Sequence, residues 1–281
     1  MEARSLGVLF FSWTFSACCI ANAPVSSIFV HGLGGSWKQS LFYAENNTAL
    51  CGQVRSTLKN STSNWYILKA PVYSFDFPHV HNKPEKKYVS LAQNLEIAAL
   101  KETCDAIQGP KILMGVSMGA STIINYTSLY YTSEIKALIL ETPFDDPDSV
   151  LKHKSGFLYD MIKNSMYMWF CPLYNHNGIK PISAIRNFPK NLPILLIHAS
   201  SDELIPPFCS RHLYHHLKEN GNQHVYLLEL SHGKHANYLH GKDAQKYQET
   251  VHAFCKKYNL PHDEALALSG KKYLDNAQPW Y

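Results

Sequence analysis

Residues 111–122 read Lys-Ile-Leu-Met-Gly-Val-Ser-Met-Gly-Ala-Ser-Thr. Ile112, Leu113, Met114 and Val116 make a short apolar run, the pattern of a strand buried on both faces of a parallel sheet. Gly115, Ser117 and Gly119 then form G-x-S-x-G, and the residues from Ala120 to Ile124 can continue as a packed helix. A nucleophilic serine at such a strand-to-helix turn occupies a strained backbone. Small residues two before and two after it let strand and helix pass close together. The hydroxyl is then held out at the end of the sheet, and the helix N-terminus behind it favours developing negative charge. Ser117 is therefore the candidate nucleophile.

Upstream, Ser26 to Val30 reads as a first strand that runs into His31-Gly32-Leu33-Gly34-Gly35. A glycine-rich loop after a strand lets backbone N–H groups turn toward a carbonyl oxygen. Its partner donor would be the N–H of Met118, directly after Ser117. Downstream, 136–140 (KALIL), 193–198 (PILLIH) and 225–230 (VYLLEL) are further apolar strands. Asp202 follows the second of these, and His232 and His235 follow the third. A serine needs a histidine to take its proton and a carboxylate to orient that histidine. The chain order is Ser117, Asp202, then a histidine of the 232–235 loop, each just past an apolar strand. In an alternating strand/helix chain such strands are parallel, so these loops meet at one edge of the sheet.

The remaining segments fill in the frame. Residues 37–60 read as a helical region, 65–69 (WYILK) as the second strand, and 71–87 as a polar loop. Asp76 and His79 in that loop read as solvated surface rather than as a metal pair. Residues 89–107 have the spacing of a crossover helix, with Leu91, Leu95, Ala98, Ala99 and Ile107 on one side. Residues 150–190 are rich in aromatics and Met. They suit either a lid over an apolar substrate or an ordinary packed helical pair. Residues 243–258 read as a closing amphipathic helix, and the tail from Leu260 carries no signal.

The 281 residues are enough for one large domain, and 46% hydrophobic with 17% charged residues describes a globular chain. The net charge of +4 comes with no concentrated Lys/Arg stripe, which argues against nucleic acid as a partner. The seven cysteines have no metal-type spacing. Cys18 and Cys19 fall in the N-terminal segment. Cys51, Cys104, Cys171, Cys209 and Cys255 allow at most two disulfides and a thiol, or serve as small buried apolar side chains.

Residues 1–23 have the form of a secretory signal: Arg4, an apolar stretch from Leu6 to Ile20, and Ala21-Asn22-Ala23 as a cleavage site. The mature domain would be 24–281, exported or secreted. A retained membrane anchor is the alternative, and Phe15-Ser16-Ala17-Cys18 loosely resembles a lipoprotein attachment box. Asn46 and Asn60 begin glycosylation sequons, and a third at Asn125 falls in the helix after Ser117, where it is expected to be buried.

With these motifs in hand, the chain resembles the α/β-hydrolase superfamily over about residues 25–258. HGLGG at 31–35 is similar to its oxyanion loop, GVSMG at 115–119 to its nucleophile elbow, and HASSDELIP at 198–206 to its acid loop. The resemblance implies an α/β fold with a mostly parallel central sheet flanked by helices, and the aromatic- and Met-rich segment adds a small helical lid or cap insertion at about 144–190 as an expectation. It implies an esterase, lipase, thioesterase or peptidase. Two features depart from the pattern. There is no room before Ser26 for the usual opening antiparallel hairpin, and two histidines compete for the base. Family spacing favours His235, with His232 as the runner-up. The resulting expectation is a serine hydrolase of carboxylic esters, with Ser117, Asp202 and His235 catalytic and the N–H groups of Leu33 and Met118 in the oxyanion hole. It needs no cofactor and no metal. Its partner is a small-molecule ester or acyl substrate, with membrane-surface association as a further possibility. A peptidase of the aminopeptidase or oligopeptidase type and a non-catalytic binding protein on the same fold are the competing readings.

Overall fold

A computed structural model describes residues 24–43, 46–51, 54–59, 68–81 and 89–280. The signal-like segment 1–23, the sequon at Asn60 and residues 65–67 lie outside them. The strands are β1 (Ser26–Val30), β2 (Asn46–Cys51), β3 (Val54–Lys59), β4 (Val72–Phe75), β5 (Lys111–Val116), β6 (Ile135–Glu141), β7 (Ile194–Ala199) and β8 (Val225–Leu230). They form one eight-stranded sheet in the order β3-β2-β4-β1-β5-β6-β7-β8. Among the described residues, β2 and β3 pair antiparallel and every other neighbouring pair is parallel. The helices that cover it are α1 (Pro78–His81), α2 (Asn94–Ala106), α3 (Met118–Tyr130), α4 (Pro147–Ser155), α5 (Tyr159–Phe170), α6 (Pro181–Ala184), α7 (Phe208–Glu219), α8 (Ala244–Lys257) and α9 (Glu264–Asp275).

The strand period of two sorts the core into two layers. Ile28, Val30, Leu113, Leu138 and Leu196 point to one face, where α2, α3 and α7 supply Leu100, Ile123 and Leu213. Phe29, Ile112, Met114, Ile139 and Ile197 point to the other, where α8 supplies Tyr247, Val251 and Phe254. A sheet covered on both sides explains why β5, β6 and β7 read as unbroken apolar runs.

Three expectations are corrected. Among the described residues of 37–60, a 3-10 turn at Trp37–Phe42 is followed by the antiparallel pair β2 and β3 rather than by a helix. The segment's Asn and β-branched residues are weak helix formers, and pairing β2 to β4 closes the sheet on that side. The strand beside β1 is Val72–Phe75; of the strand expected at 65–69, residues 65–67 lie outside the described residues, and Leu68 donates its N–H to the Tyr43 carbonyl at 3.1 Å. The 71–87 loop accordingly contains β4 and α1. The tail from Leu260 is also structured: α9 packs on α8 so closely that a Cβ on Gly270 would lie 1.9 Å from the Glu249 carbonyl oxygen. Beyond α9 the Leu227 N–H donates to the Ala277 carbonyl at 3.0 Å, and the Trp280 N–H to Glu229 Oε2 at 2.7 Å.

Cys104, Cys171, Cys209 and Cys255 are buried and in no disulfide, the apolar-side-chain reading rather than the disulfide one. Asn125 is fully buried, its amide donating to the Ala92 carbonyl at 2.8 Å. No helix among the described residues is long and apolar enough to cross a membrane.

Candidate active site

Ser117 sits between β5 and α3 with φ +55° and ψ −121°, a backbone that L-residues seldom adopt. Its neighbours enforce that geometry. A Cβ on Gly115 would lie 2.7 Å from the backbone of Gly119 and Ala120, and one on Gly119 would lie 2.1 Å from the Val30 carbonyl oxygen. The Ser117 N–H is held by the Glu141 carbonyl at 2.8 Å. The side chain is thereby aimed off the sheet edge where β1, β5, β6, β7 and β8 all end.

His235, 118 residues later in the loop after β8, places Nε2 3.0 Å from Ser117 Oγ. Its Nδ1 lies 2.9 Å from Asp202 Oδ2 and 3.1 Å from Oδ1. The serine, histidine and carboxylate thus form one hydrogen-bonded chain, and a proton on Nδ1 leaves Nε2 as the acceptor facing the serine. His232 is elsewhere: its side chain is 57% exposed and lies 3.6 Å from Asp243. Between the two histidines, the structure brings His235 to Ser117.

The N–H groups of Leu204 and Ile205 each donate to Asp202 Oδ1 at 2.9 Å, and the hydroxyls of Tyr238 (2.6 Å) and Thr142 (2.9 Å) donate to Oδ2. Burial pushes the carboxyl upward, but the bonds from His235, Tyr238 and Ile205 outweigh it and hold Asp202 below the usual carboxylate range. It is a firm anion beside the imidazole. Sequence reading missed Thr142 and Tyr238. The only signals for them were a threonine one residue past a strand and a tyrosine three residues past the histidine.

The loop 31–35 borders Ser117 from the other side. A Cβ on Gly32 would meet Ser117 Cβ at 3.3 Å, and the Gly32 N–H is committed to Gln39 Oε1 at 3.1 Å. Leu33 and Met118 line the same cavity as Ser117, and Met118, as the first residue of α3, has no partner for its N–H within the helix. His31 fixes the loop. Its Nε2 accepts from the Phe77 N–H at 3.1 Å, so Nδ1 carries the proton and donates to the Gly32 carbonyl at 2.7 Å. Burial pushes this imidazole down to about 4, which keeps it neutral. Asp76 and His79 are not solvated surface: the Asp76 side chain is 4% exposed and accepts the Trp37 N–H at 2.6 Å, and His79 is 3% exposed. A polar residue in a loop gives no sequence sign that a neighbouring backbone will bury it. No group of three or more His, Cys, Asp or Glu placed to hold a metal occurs among the described residues.

A cavity of about 600 Å3 opens from Ser117 and His235. Its walls are apolar, with Phe144, Val150, Leu151, Leu204 and Ile205 prominent. Among the described lining residues, Lys154 and Glu203 bring charge, and the Lys154 ammonium donates to the Glu203 backbone carbonyl. The α4–α5 segment supplies one wall, and its other side is open: Phe157 is 92% and Trp169 73% exposed.

This arrangement on this sheet defines an α/β-hydrolase fold, and known proteins agree. The Pf2001 esterase of Pyrococcus furiosus is similar over 84% of both chains, with 17% identity and a TM-score of 0.54. The acylaminoacyl peptidase of Pyrococcus horikoshii is similar over 86% of this chain and 38% of its own, with 17% identity and a TM-score of 0.54. In sequence, residues 101–260 match the prolyl oligopeptidase family, a span that contains Ser117, Asp202 and His235. The chain belongs to the prolyl oligopeptidase family. It is 27% identical over 151 residues to the uncharacterized protein YqkD of Bacillus subtilis, spanning about half the length of that curated relative (47%). Its fold is of the α/β-hydrolase type.

Proposed function

We propose that the protein is a serine hydrolase that cleaves carboxylic esters with uncharged, apolar acyl groups through an acyl-enzyme. The observation that carries this reading is the Ser117–His235–Asp202 chain opening into an apolar cavity of about 600 Å3. His235 Nε2 takes the Ser117 proton as Oγ attacks the ester carbonyl. The N–H groups of Leu33 and Met118 receive the developing oxyanion, and Asp202 stabilises the imidazolium. His235 then returns the proton to the leaving alcohol. Water, activated by the same imidazole, releases the acid. The α4–α5 segment acts as a cap, and its apolar wall favours an acyl chain over a charged side chain.

A peptidase activity is the second reading, favoured by the family match over residues 101–260. The same triad serves both chemistries, so substrate decides. The experiment is labelling with a fluorophosphonate probe, comparing wild type with Ser117→Ala, followed by turnover of p-nitrophenyl acyl esters against peptide p-nitroanilides. Labelling lost in Ser117→Ala with ester turnover supports the reading. Anilide turnover without ester preference replaces it with the peptidase. A folded wild type that takes no label leaves a binding protein on this fold. Export through cleavage of residues 1–23 is part of the proposal, and the mass of the mature chain tests it.

A further inference from the structure

Among the described non-glycine residues with positive φ are Ser117, Thr142 and Ala236, all at the active edge. Thr142, at φ +46°, is the β-branched one. A β-branched side chain is the costliest kind to hold in this region, and Pro143 behind it pushes the residue further toward extended backbone. Such strain persists only where the surroundings impose it, and it gathers at functional sites.

The surroundings here are specific. The Thr142 N–H donates to the Ile197 carbonyl at 2.8 Å, continuing the β6–β7 ladder by one residue. The preceding carbonyl, of Glu141, accepts the Ser117 N–H at 2.8 Å. The Thr142 side chain is fully buried, and its Oγ1 lies 2.9 Å from Asp202 Oδ2. The other polar neighbour, His198 Nε2 at 3.4 Å, points its proton at the Ile205 carbonyl at 2.9 Å, so the threonine proton goes to Asp202. The remaining side-chain and backbone donors to Asp202 come from its own loop or from the histidine loop. The Asp202 N–H is held by the Ala199 carbonyl at the end of β7, and among the described residues Thr142 is the hydroxyl that ties its carboxylate to the end of β6, next to the residue that holds the Ser117 N–H.

We infer that Thr142 is a positioning residue: its strained backbone turns the hydroxyl onto Asp202, so that one dipeptide, Glu141-Thr142, sets both the nucleophile and the carboxylate that aims His235. The inference rests on the triad reading above. The titratable groups around Asp202 are His235, Tyr238, His198 and Glu141.

The test compares wild type with Thr142→Ser, Thr142→Gly and Thr142→Val for ester turnover, its pH profile and thermal melting. Thr142→Ser keeps the hydroxyl and is expected within about threefold of wild type. Thr142→Gly relieves the backbone and loses the hydroxyl: kcat falls about tenfold or more with KM kept, while Tm holds or rises. The acid limb of kcat/KM moves to higher pH, because a carboxylate with one donor fewer attracts the imidazolium proton more strongly. Thr142→Val repeats the loss where it folds, and the glycine variant decides where it does not. A Thr142→Gly enzyme with wild-type kcat and pH profile overturns the inference, as does a Thr142→Ser enzyme as impaired as the glycine one. A wild type that neither labels nor turns over ester overturns the triad reading itself, and with it this inference.

Discussion

Gly119 and Val30 approach so closely that a β-carbon on the glycine would stand 2.1 Å from the Val30 carbonyl oxygen. The helix behind Ser117 is thereby pressed onto the strand that leads into the 31–35 loop. Because the obstacle is backbone, it cannot swing aside. Gly119→Ala is expected to lower stability by about 3 kcal/mol or more. Chemical denaturation of the variant measures this, and a shift below about 1 kcal/mol would mean that the two elements are not seated as described.

The two histidines of the 232–235 loop should separate cleanly. His235→Ala removes the group 3.0 Å from Ser117 Oγ and is expected to cut turnover by about a thousandfold or more. His232→Ala touches a half-exposed side chain beside Asp243 and should leave turnover within about twofold. Steady-state kinetics of the two purified variants checks both values.

Glu141 gives the protein a pH-dependent stability. It is fully buried, with Oε2 accepting from the Tyr43 and Tyr247 hydroxyls at 3.2 and 2.8 Å. Burial, with the nearby Asp202 charge, pushes its carboxyl from 4.5 up to about 7 despite those bonds. Between these values the folded chain binds the proton that the unfolded chain has released. Stability from this group is therefore full below about pH 4.5 and declines as pH rises to about 7, by roughly 3 kcal/mol. Glu141→Gln should flatten that slope in unfolding experiments run across the window. An unchanged slope would assign the dependence to other groups.

Tyr238→Phe keeps the ring against Gly233 and deletes the hydroxyl 2.6 Å from Asp202 Oδ2. The carboxylate retains His235, Thr142 and the two backbone donors, so the fold survives with a loss of about 1–3 kcal/mol. Turnover should fall several-fold rather than collapse. Thermal melting and kcat measured together separate the two effects.

The readable part of this molecule was its buried parallel core. β5 through β8 are covered on both faces, so their apolar runs announced themselves, and the candidate triad was legible because Ser117, Asp202 and His235 each follow such a run. The hairpin at 46–59 and the four-residue β4 were not legible, since a short strand toward the sheet edge needs neither length nor continuous apolarity. Asp76 looked solvated because its burial depends on the Trp37 backbone, a partner 39 positions away. Thr142 and Tyr238 escaped for a related reason. Their hydroxyls matter through a carboxylate that only the folded chain brings to them.

The closing residues have a consequence for how copies of this chain meet one another. β8 is the outermost strand on its side, and an outermost strand offers unpaired amides to any other extended chain. The stretch after α9 occupies that rim, taking the Leu227 N–H onto Ala277 and anchoring Trp280 on Glu229. It lies past residue 260, where the family match ends. This terminal segment works as a selvedge on the sheet. A chain cut after residue 275 keeps α9 yet should gain a raw β-edge, and light scattering should find it clumping at concentrations where the full chain stays dispersed.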